Sequence, residues 1–312
     1  METIPSMVDI STVHVSAVRR NIFFLETSCN STLMGKITTD ARQACAVESG
    51  ARANPNSDVY LLYASPGHIK EDGSESDRLL QVLKSYQNVH IFHINVLNLI
   101  KDSPVEKLWK TGKIEQSLYP LVHTSDIFRL LVLWKYGGIY MDLDVVVMKS
   151  LEMFPENFIG AQSPDILANG VMSFDKNGKG HEFVDKCLKD LAENFDGQKW
   201  SHNGPLLVTR ILKQLCQNAS IHFTILAGQC DDISIVPPSV FYPVPWQKWD
   251  WYLDPDITDI LLPYIKKESY LVHVWNKYSR SRIINKEEIN VPYFELAKEY
   301  CPGVVSQIDN YF

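Results

Sequence analysis

Two carboxylates stand one residue apart in an otherwise apolar stretch, where Asp142 and Asp144 interrupt the sequence IYMDLDVVVM, residues 139–148. Such carboxylates are costly at the end of a buried strand unless a cation lies between them. A divalent metal is the simplest such cation, and a metal held by carboxylate oxygens commonly serves a phosphate. Together with the helix, glycines and strand around it in residues 125–148, the pair predicts an enzyme that uses a metal and a nucleotide-sugar. Two solvated carboxylates at a strand end are the alternative, because an Asp-X-Asp tripeptide alone is common.

The residues before this pair predict the elements that position it. An amphipathic helix is expected to have Ser125 as its N-cap and to stop at Gly137, which suits a left-handed C-terminal residue. Gly137 and Gly138 allow a tight reversal and a close approach of the backbone to a ligand. A strand follows, and in a regular strand the side chains of Asp142 and Asp144 point to the same side.

A charged pair lies in the first turn of this predicted helix. Asp126 and Arg129 are three residues apart and are therefore neighbours on the helix surface. In a functional interpretation, Asp126 bonds the ribose or base of a nucleotide, while Arg129 orients it or meets a phosphate. A simple Asp–Arg pair near a helix N-terminus is the structural alternative.

Size, composition and charge limit the class of protein. The chain has 312 residues, of which 45% are hydrophobic and 21% charged, as in a globular protein with a sizeable core. Its net charge of −7 disfavours a broad nucleic-acid surface, so no nucleic-acid partner is expected. The apolar runs are far shorter than the roughly 20 residues that span a bilayer. Residues 1–20 lack the apolar core of a signal peptide and are expected to form a flexible leader or stem remnant.

Short apolar strands alternate with helical segments, which is the pattern of an α/β domain with a mostly parallel central sheet flanked by helices. We predict strands at Asn21–Thr27, Val59–Tyr63 and Val89–Ile94, a helix at Asp40–Ala53 and a loop at Ser65–Ser76. Residues 237–263 are rich in proline and aromatic side chains and are expected to be loop-dominated. Residues 21–312 are predicted to be a single domain, whose ligands bind beyond the carboxyl ends of the strands.

Six cysteines and two glycosylation sequons favour a secretory compartment. Cys216 and Cys230 flank a short segment and are the pair most easily pictured as a disulfide. The sequons begin at Asn30 and Asn218. No Cys-X-X-Cys pair occurs in the sequence, which disfavours a zinc knuckle or a thioredoxin-type motif.

The segment SDIFRLLVLWKYGGIYMDLD, residues 125–144, resembles the DxD core of the α-1,4-glycosyltransferase family that includes lactosylceramide 4-alpha-galactosyltransferases and α-1,4-N-acetylgalactosaminyltransferases. The resemblance covers the chain from Asn21 onward and suggests an arthropod member. It is carried also by NIFFLET (21–27), AVESGAR (46–52), HNGPLLVTR (202–210), FYPVPWQKW (241–249) and HVWNK (273–277). It implies a GT-A type fold, manganese or magnesium as the cofactor, and retaining α-1,4 transfer. The implied donor is UDP-galactose or UDP-N-acetylgalactosamine, and the implied acceptor is a glycosphingolipid.

The resemblance also implies roles for individual residues. Asp142, Asp144 and His273 would bind the metal, and Lys277 would act with them in catalysis by neutralising the departing diphosphate. The residues expected to bind the donor are Asp126, Arg129, Gly138, Tyr140, Gln162, Asn169 and Gly170. The residues expected to shape the acceptor site are His202, Asn203, Gly204 and Trp246.

Structural alternatives accompany several of these roles. His273 could be a hydrogen-bonded core histidine and Lys277 a surface lysine, while Asn169-Gly170 is a common turn sequence. Trp246 and the tryptophans near it offer faces for stacking on sugars, although large aromatic side chains lie more often in cores.

Some features depart from the family pattern. Leu143 stands inside the DxD where threonine is usual in the vertebrate enzyme, Asn203 stands where glutamine is usual, and Cys29 is additional. The family implies a Golgi location and an N-terminal membrane anchor, and no anchor is visible in residues 1–20. The donor stays open, so N-acetylglucosaminyl or mannosyl transfer on the same scaffold is one alternative function. A catalytically silent sugar-binding homologue is another.

Overall fold

The computed structural model describes residues 7–16, 18–217, 220–287 and 290–312. Within these residues the strands are β1 (Asn21–Glu26), β2 (Asp58–Tyr63), β3 (Val89–His93), β4 (Gly138–Met141), β5 (Val145–Val147), β6 (Phe158–Ser163), β7 (Ile166–Phe174), β8 (Gln229–Cys230), β9 (Ile233–Val236) and β10 (Leu271–His273). The α-helices are α1 (Asn30–Met34), α2 (Ala41–Ala53), α3 (Glu75–Ser85), α4 (Val96–Ile100), α5 (Glu106–Trp109), α6 (Pro120–Tyr136), α7 (Lys179–Asn194), α8 (Pro205–Leu215), α9 (Ile221–Ala227), α10 (Pro238–Phe241), α11 (Thr258–Glu268), α12 (Asn276–Ser279), α13 (Pro292–Tyr300) and α14 (Pro302–Gln307). Short 3₁₀ helices cover Ile10–Thr12, Trp246–Leu253 and Pro255–Ile257.

Eight strands form one mixed sheet in the order β3-β2-β1-β4-β7-β6-β9-β8. The pairs β3–β2, β2–β1, β1–β4 and β6–β9 are parallel, whereas β4–β7, β6–β7 and β8–β9 are antiparallel. The strands β5 and β10 form a separate antiparallel pair. The predicted α/β fold, with a mostly parallel central sheet flanked by helices, is confirmed.

The central strand β1 shows why the sheet carries helices on both faces. All six of its residues are buried. Ile22 and Phe24 pack into one hydrophobic cluster, with α2, α3 and α13, while Phe23 and Leu25 pack into a second cluster on the other face, with α6, α7 and α8. A strand covered on both faces is apolar throughout rather than alternating, which explains the run IFFL in its sequence.

Several predicted elements are confirmed almost to the residue. The helix α2 starts after Asp40, whose side chain accepts from the Gln43 backbone N–H in a capping box. The predicted stop at Gly137 is confirmed, since α6 ends at Tyr136 and Gly137 has a φ of 64°. The predicted N-cap of that helix is wrong. The helix begins at Pro120, a residue type suited to the first helical position, so Ser125 lies inside it.

The aromatic segment is more regular than predicted. Residues 237–263, expected to be loop-dominated, contain α10, two 3₁₀ helices and the first half of α11. Pro263 lies inside α11 without ending it. Proline removes one backbone hydrogen bond and so disfavours a helix interior, which is why the sequence predicts a loop here. Tertiary packing holds α11 together around Pro263.

The described part of the expected leader lies against the sheet. Ile10 is buried, and the Val8 carbonyl accepts from the His93 N–H at the edge strand β3. Arg20 donates to the Leu151 and Phe154 carbonyls and to the Ser173 hydroxyl, which fixes the chain just before β1. Among the described residues, no helix combines the length and the apolarity needed to cross a bilayer.

Two disulfides close the fold. The predicted Cys216–Cys230 bridge is confirmed, and a second bridge joins Cys45 of α2 to Cys301, 256 residues further along the chain. Cys29 is exposed and Cys187 buried, both as free thiols. The sequon at Asn30 lies at the start of α1, and the sequon at Asn218 falls outside the described residues.

Candidate active site

The site forms where the chain passes from the large sheet to the small one. β4 ends at Met141, and the turn Asp142–Asp144 leads directly into β5. β5 pairs with β10, whose last residue is His273. The Asp142 N–H donates to the Gly170 carbonyl (2.9 Å) and thereby holds the turn against β7. The two aspartates converge through this turn and not, as expected, through a regular strand.

Asp142, Asp144 and His273 offer one ligand atom each, all within 4.8 Å of one another. Nε2 of His273 lies 3.3 Å from Oδ2 of Asp142 and 3.1 Å from Oδ1 of Asp144. Two carboxylate oxygens and an imidazole nitrogen are a donor set that suits a first-row divalent cation. The structure thus brings together the three residues that were expected to bind the metal.

Neighbouring groups engage the remaining oxygen of each aspartate. Oδ1 of Asp142 accepts from the Tyr140 hydroxyl (2.7 Å) and lies 2.9 Å from Nη1 of Arg129. Oδ2 of Asp144 accepts from the Asn276 N–H at 2.6 Å. Each carboxylate therefore presents one oxygen toward His273 and is oriented through the other, as in metal sites whose ligands are fixed by an outer layer of hydrogen bonds.

Burial and neighbouring charges act in opposite directions on the pKa values of His273 and Asp142. Burial alone would lower the pKa of His273, but Asp144 and Asp142 outweigh it and raise that pKa to about 9. Burial alone would raise the pKa of Asp142, but Arg129 and His273 hold it below its ordinary value. The two carboxylates thus favour positive charge beside Nε2 of His273. A bound metal would supply that charge in place of the imidazolium proton.

Arg129 and Asp126 lie beneath the metal candidate rather than in open solvent. Both are buried, with Nε of Arg129 3.7 Å from Oδ1 of Asp126. Arg129 also donates to the Asn169 carbonyl (2.9 Å) and lies over the Tyr140 ring. Asn169 donates to Oδ1 of Asp126 at 2.7 Å. Burial raises the pKa of Asp126 to about 6, with Arg129 opposing the shift.

Two cavities meet at Asp142 and Asp144. The first, of about 370 Å³, lies beside β7, α8 and β10. The second, of about 830 Å³, lies beyond the carboxyl ends of β1 and β4 and against the start of α2. Clefts of this size are typical of small-molecule sites, and their position at the carboxyl ends of the strands agrees with the prediction from the α/β pattern.

Several predicted donor residues line the first cavity. Gln162 lies near the end of β6, and Asn169 and Gly170 lie within β7, so Asn169-Gly170 is not a turn. A Cβ atom on Gly170 would come 2.7 Å from Oδ2 of Asp142, so glycine leaves room for the carboxylate. Lys277 lines the same cavity, with Nζ 3.7 Å from the centre of the Trp200 ring.

Other predicted residues lie elsewhere. Gly138 is at the opposite end of β4, where it lines a separate cavity, and a Cβ atom there would come 2.5 Å from the Asn21 carbonyl oxygen. The sequence could not separate this packing role from a ligand-binding one. Tyr140, by contrast, lines the second cavity and binds Asp142.

Of the four predicted acceptor residues, one lines the first cavity and three lie in the loop before α8. Trp246 lines the first cavity. His202 bonds the Asn194 carbonyl through Nε2, and Asn203 is fully buried, where it bonds the Asp196 backbone in both directions. Gly204 lies where a Cβ atom would come 2.7 Å from Asp126 and from Asn169. These three residues therefore shape the loop before α8. The first residues of α8 then line the first cavity.

Sequence reasoning missed several cavity residues. Tyr242, Trp275 and Tyr278 line the first cavity, and they lie inside or beside the quoted motifs FYPVPWQKW and HVWNK. Trp200 also lines it, but nothing in its sequence context marks it. Polar and charged residues of the second cavity follow β1 or begin α2: Thr27, Ser28, Asp40 and Arg42. The rule that ligands bind beyond strand ends could have found Thr27 and Ser28, which directly follow β1.

Comparison with known proteins gives consistent matches. Residues 40–164 match the model of a glycosyltransferase sugar-binding region containing a DXD motif, and residues 176–308 match the alpha 1,4-glycosyltransferase conserved region. Mouse (Mus musculus) lactosylceramide 4-alpha-galactosyltransferase is 34% identical over 284 residues, which cover 90% of this chain and 74% of the mouse protein. Human (Homo sapiens) alpha-1,4-N-acetylglucosaminyltransferase is 27% identical over 91% of this chain and 79% of its own. The solved PaToxG glycosyltransferase is 22% identical, with a TM-score of 0.44 over 63% of this chain and 69% of that one.

Proposed function

This chain belongs to the α-1,4-glycosyltransferase family that includes lactosylceramide 4-alpha-galactosyltransferase, and from that premise we propose its reaction. It transfers galactose or N-acetylgalactosamine from a UDP-sugar to a glycosphingolipid, with retention of the α configuration and with dependence on a divalent metal. The observation that carries the proposal is the convergence of Asp142, Asp144 and His273 where two cavities meet.

The position of the metal candidate suggests how the donor lies. The diphosphate belongs at Asp142 and Asp144, so the nucleotide occupies the larger second cavity and the donor sugar points into the first. Manganese, with magnesium as the alternative, would be held by Asp142, Asp144 and His273 and would neutralise charge on the diphosphate as it leaves. Leu143 stands between the two aspartates in the same turn and lines the nucleotide cavity.

The chain's own residues supply the rest of the machinery. Arg129 and Tyr140 orient Asp142, so they act through that carboxylate. Lys277 brings a positive charge into the first cavity, where it can meet the departing diphosphate. Burial lowers the pKa of Lys277. The Trp200 face beneath the ammonium favours its cationic form.

The first cavity also receives the acceptor in this proposal. Gln162 and Asn169 offer amide groups to the hydroxyls of the donor sugar, while Trp246 offers an aromatic face to the acceptor. Asp126 lies beneath Asn169 and fixes its amide. His202, Asn203 and Gly204 hold the loop that places α8 beside the acceptor. A Golgi location fits this reaction and stays a prediction, as does the arthropod origin.

N-acetylglucosaminyl transfer is the second candidate, favoured by the identity to the human α-1,4-N-acetylglucosaminyltransferase. The two candidates share the metal site and differ in the sugar that the first cavity accepts. A catalytically silent sugar-binding homologue would keep the fold and lack turnover.

UDP release tests these candidates directly. We would compare UDP-galactose, UDP-N-acetylgalactosamine and UDP-N-acetylglucosamine, with and without manganese, each with lactosylceramide as acceptor. Asp144→Asn is expected to abolish turnover, and Asp259→Asn, at an exposed position of α11, is the matched control. NMR of the product would show an α linkage. Turnover that survives Asp144→Asn, or folded protein that turns over none of the donors, would contradict the proposal.

A further inference from the structure

An exposed surface rich in tryptophan and basic residues lies at the mouth of the cleft. It consists of residues 246–251 (WQKWDW) and 280–283 (RSRI), which we call the aromatic–cationic surface. Trp246, Trp251 and Ile283 are 43%, 40% and 72% exposed. Large apolar side chains left in solvent this close together commonly mark an interaction site.

Stacked side chains join the two segments into one surface. The Tyr278 ring is stacked with both Trp246 and Trp249, with ring centres 5.9 and 6.4 Å away and planes nearly parallel. Arg282 lies over the Trp249 ring at 6.0 Å, and Lys248 over the Trp251 ring at 5.8 Å. The cations are thus held beside the aromatic faces.

Arg42 of α2 fixes the second segment from below. Its guanidinium donates to the carbonyls of Ser279, Arg282 and Phe312. The surface is therefore built on the fold and is not a free loop.

The aromatic–cationic surface borders both cavities. Trp246 lines the first cavity, while Arg280, Arg282 and Ile283 line the second. Whatever binds this surface therefore lies at the entrance through which a substrate reaches Asp142 and Asp144.

The composition of the surface indicates the chemistry of its partner. Tryptophan combined with lysine and arginine is typical of the lipid headgroup region, where the ring is apolar and the cation meets phosphate. Asp250 is the one acidic residue in the two segments, against Lys248, Arg280 and Arg282. This local positive charge stands out in a chain of net charge −7.

We propose that the aromatic–cationic surface binds the headgroup region of a lipid bilayer and turns the cleft toward it. The proposal rests on the proposed function, in which the acceptor is a glycolipid. The sugar of such an acceptor must enter the cleft while its hydrocarbon chains stay in the membrane. The rim of the cleft must then reach the bilayer surface, and this surface forms part of that rim.

The test uses variants outside both cavities. Trp251→Ser and Lys248→Ser alter the surface without touching a cavity residue. Met153→Ser is the control, because Met153 is 87% exposed and lies two residues after Leu151, whose carbonyl accepts from Arg20 at the end of β1 opposite the site. Flotation with phosphatidylcholine vesicles, with and without phosphatidylserine, measures binding. Initial rates are compared between lactosylceramide in those vesicles and a lactoside with a water-soluble aglycone, and thermal unfolding checks the fold.

The two surface variants are expected to lose vesicle binding and roughly tenfold in kcat/KM on the vesicle acceptor, as for loss of an aromatic anchor at an interface. Their rates on the soluble lactoside and those of Met153→Ser should match the wild type. Wild-type protein that does not float with vesicles, or variants that lose both acceptors equally, would overturn the proposal. If no acceptor is turned over but vesicle binding still depends on Trp251 and Lys248, the surface stands and the proposed function fails.

Discussion

At the scale of single residues, the contacts of Arg129 add a role to the one expected from the sequence. The sequence offered it as a group for the nucleotide or its phosphate. Its guanidinium lines the second cavity and lies buried against Asp142, Asp126 and the Asn169 carbonyl. We infer that it acts through the orientation and charge of Asp142.

We predict that Arg129→Gln weakens manganese binding by about 10–100-fold, since outer hydrogen bonds to metal ligands carry effects of that size. Tyr140→Phe removes the other partner of the same oxygen and should weaken binding about tenfold. Isothermal titration with manganese measures both. Arg19→Gln is the control, because Arg19 pairs with Asp58 at the opposite end of β1 and β2 from the site, and its variant should keep wild-type affinity. Unchanged affinity in Arg129→Gln would show that Asp142 needs no such support.

Asp126 gives a prediction about pH. Burial raises its pKa from the ordinary value of 3.8 to about 6, so the folded protein holds this proton more tightly than the unfolded chain does. Burial of Asp126 therefore costs the wild type least stability below pH 3.8, where the carboxyl is protonated in both states. The free energy of unfolding then falls as pH rises toward 6. Relative to Asp126→Asn, its free energy of unfolding should fall by about 2 kcal/mol between pH 4 and pH 7. Urea unfolding of both proteins at the two pH values measures this, and a pH-independent difference would refute it.

At the scale of elements, the two strands at the site contain glycines with different functions. Gly170 of β7 leaves room for Oδ2 of Asp142, whereas Gly138 of β4 has a φ of 101° and lies against the Asn21 carbonyl. We predict that Gly170→Ala lowers manganese affinity about tenfold or more while the fold persists. Gly138→Ala should instead cost more than about 2 kcal/mol of stability, because strain and a backbone clash combine. Titration and chemical denaturation of both variants would separate the effects, and the reverse pattern would exclude this assignment.

The elements also show what the sequence could predict. Apolar runs such as residues 21–26 identified the buried strands, and Asp40 with Gln43 marked the start of α2, because these signals are local. The convergence of Asp144 with His273 depends on β5 pairing with β10, a contact between residues far apart in sequence. Only the family resemblance placed His273 at the site. Trp200 had neither a local signal nor a motif, so it appeared only in the structure.

At the scale of the whole molecule, the two disulfides close loops of very different length. The Cys45–Cys301 bridge spans 256 residues and ties α2 to the end of α13, whereas Cys216–Cys230 spans 14. If a disulfide stabilises mainly by restricting the unfolded chain, the bridge that closes the longer loop contributes more to the free energy of unfolding. We predict losses of about 5 kcal/mol for Cys45→Ala/Cys301→Ala and about 3 kcal/mol for Cys216→Ala/Cys230→Ala. Urea unfolding of the two double variants measures the order, and equal losses would contradict it.

The hydrogen bonds to Asp142 and Asp144 have a consequence for which ion the molecule can use. Calcium takes about six to eight oxygen ligands and often binds both oxygens of a carboxylate. Tyr140, Arg129 and Asn276 occupy the second oxygens here, so neither aspartate can open to a larger ion without losing its support. A smaller ion that prefers six ligands can complete its shell with water and diphosphate oxygens. We therefore expect the same bonds that position the carboxylates to discriminate against calcium.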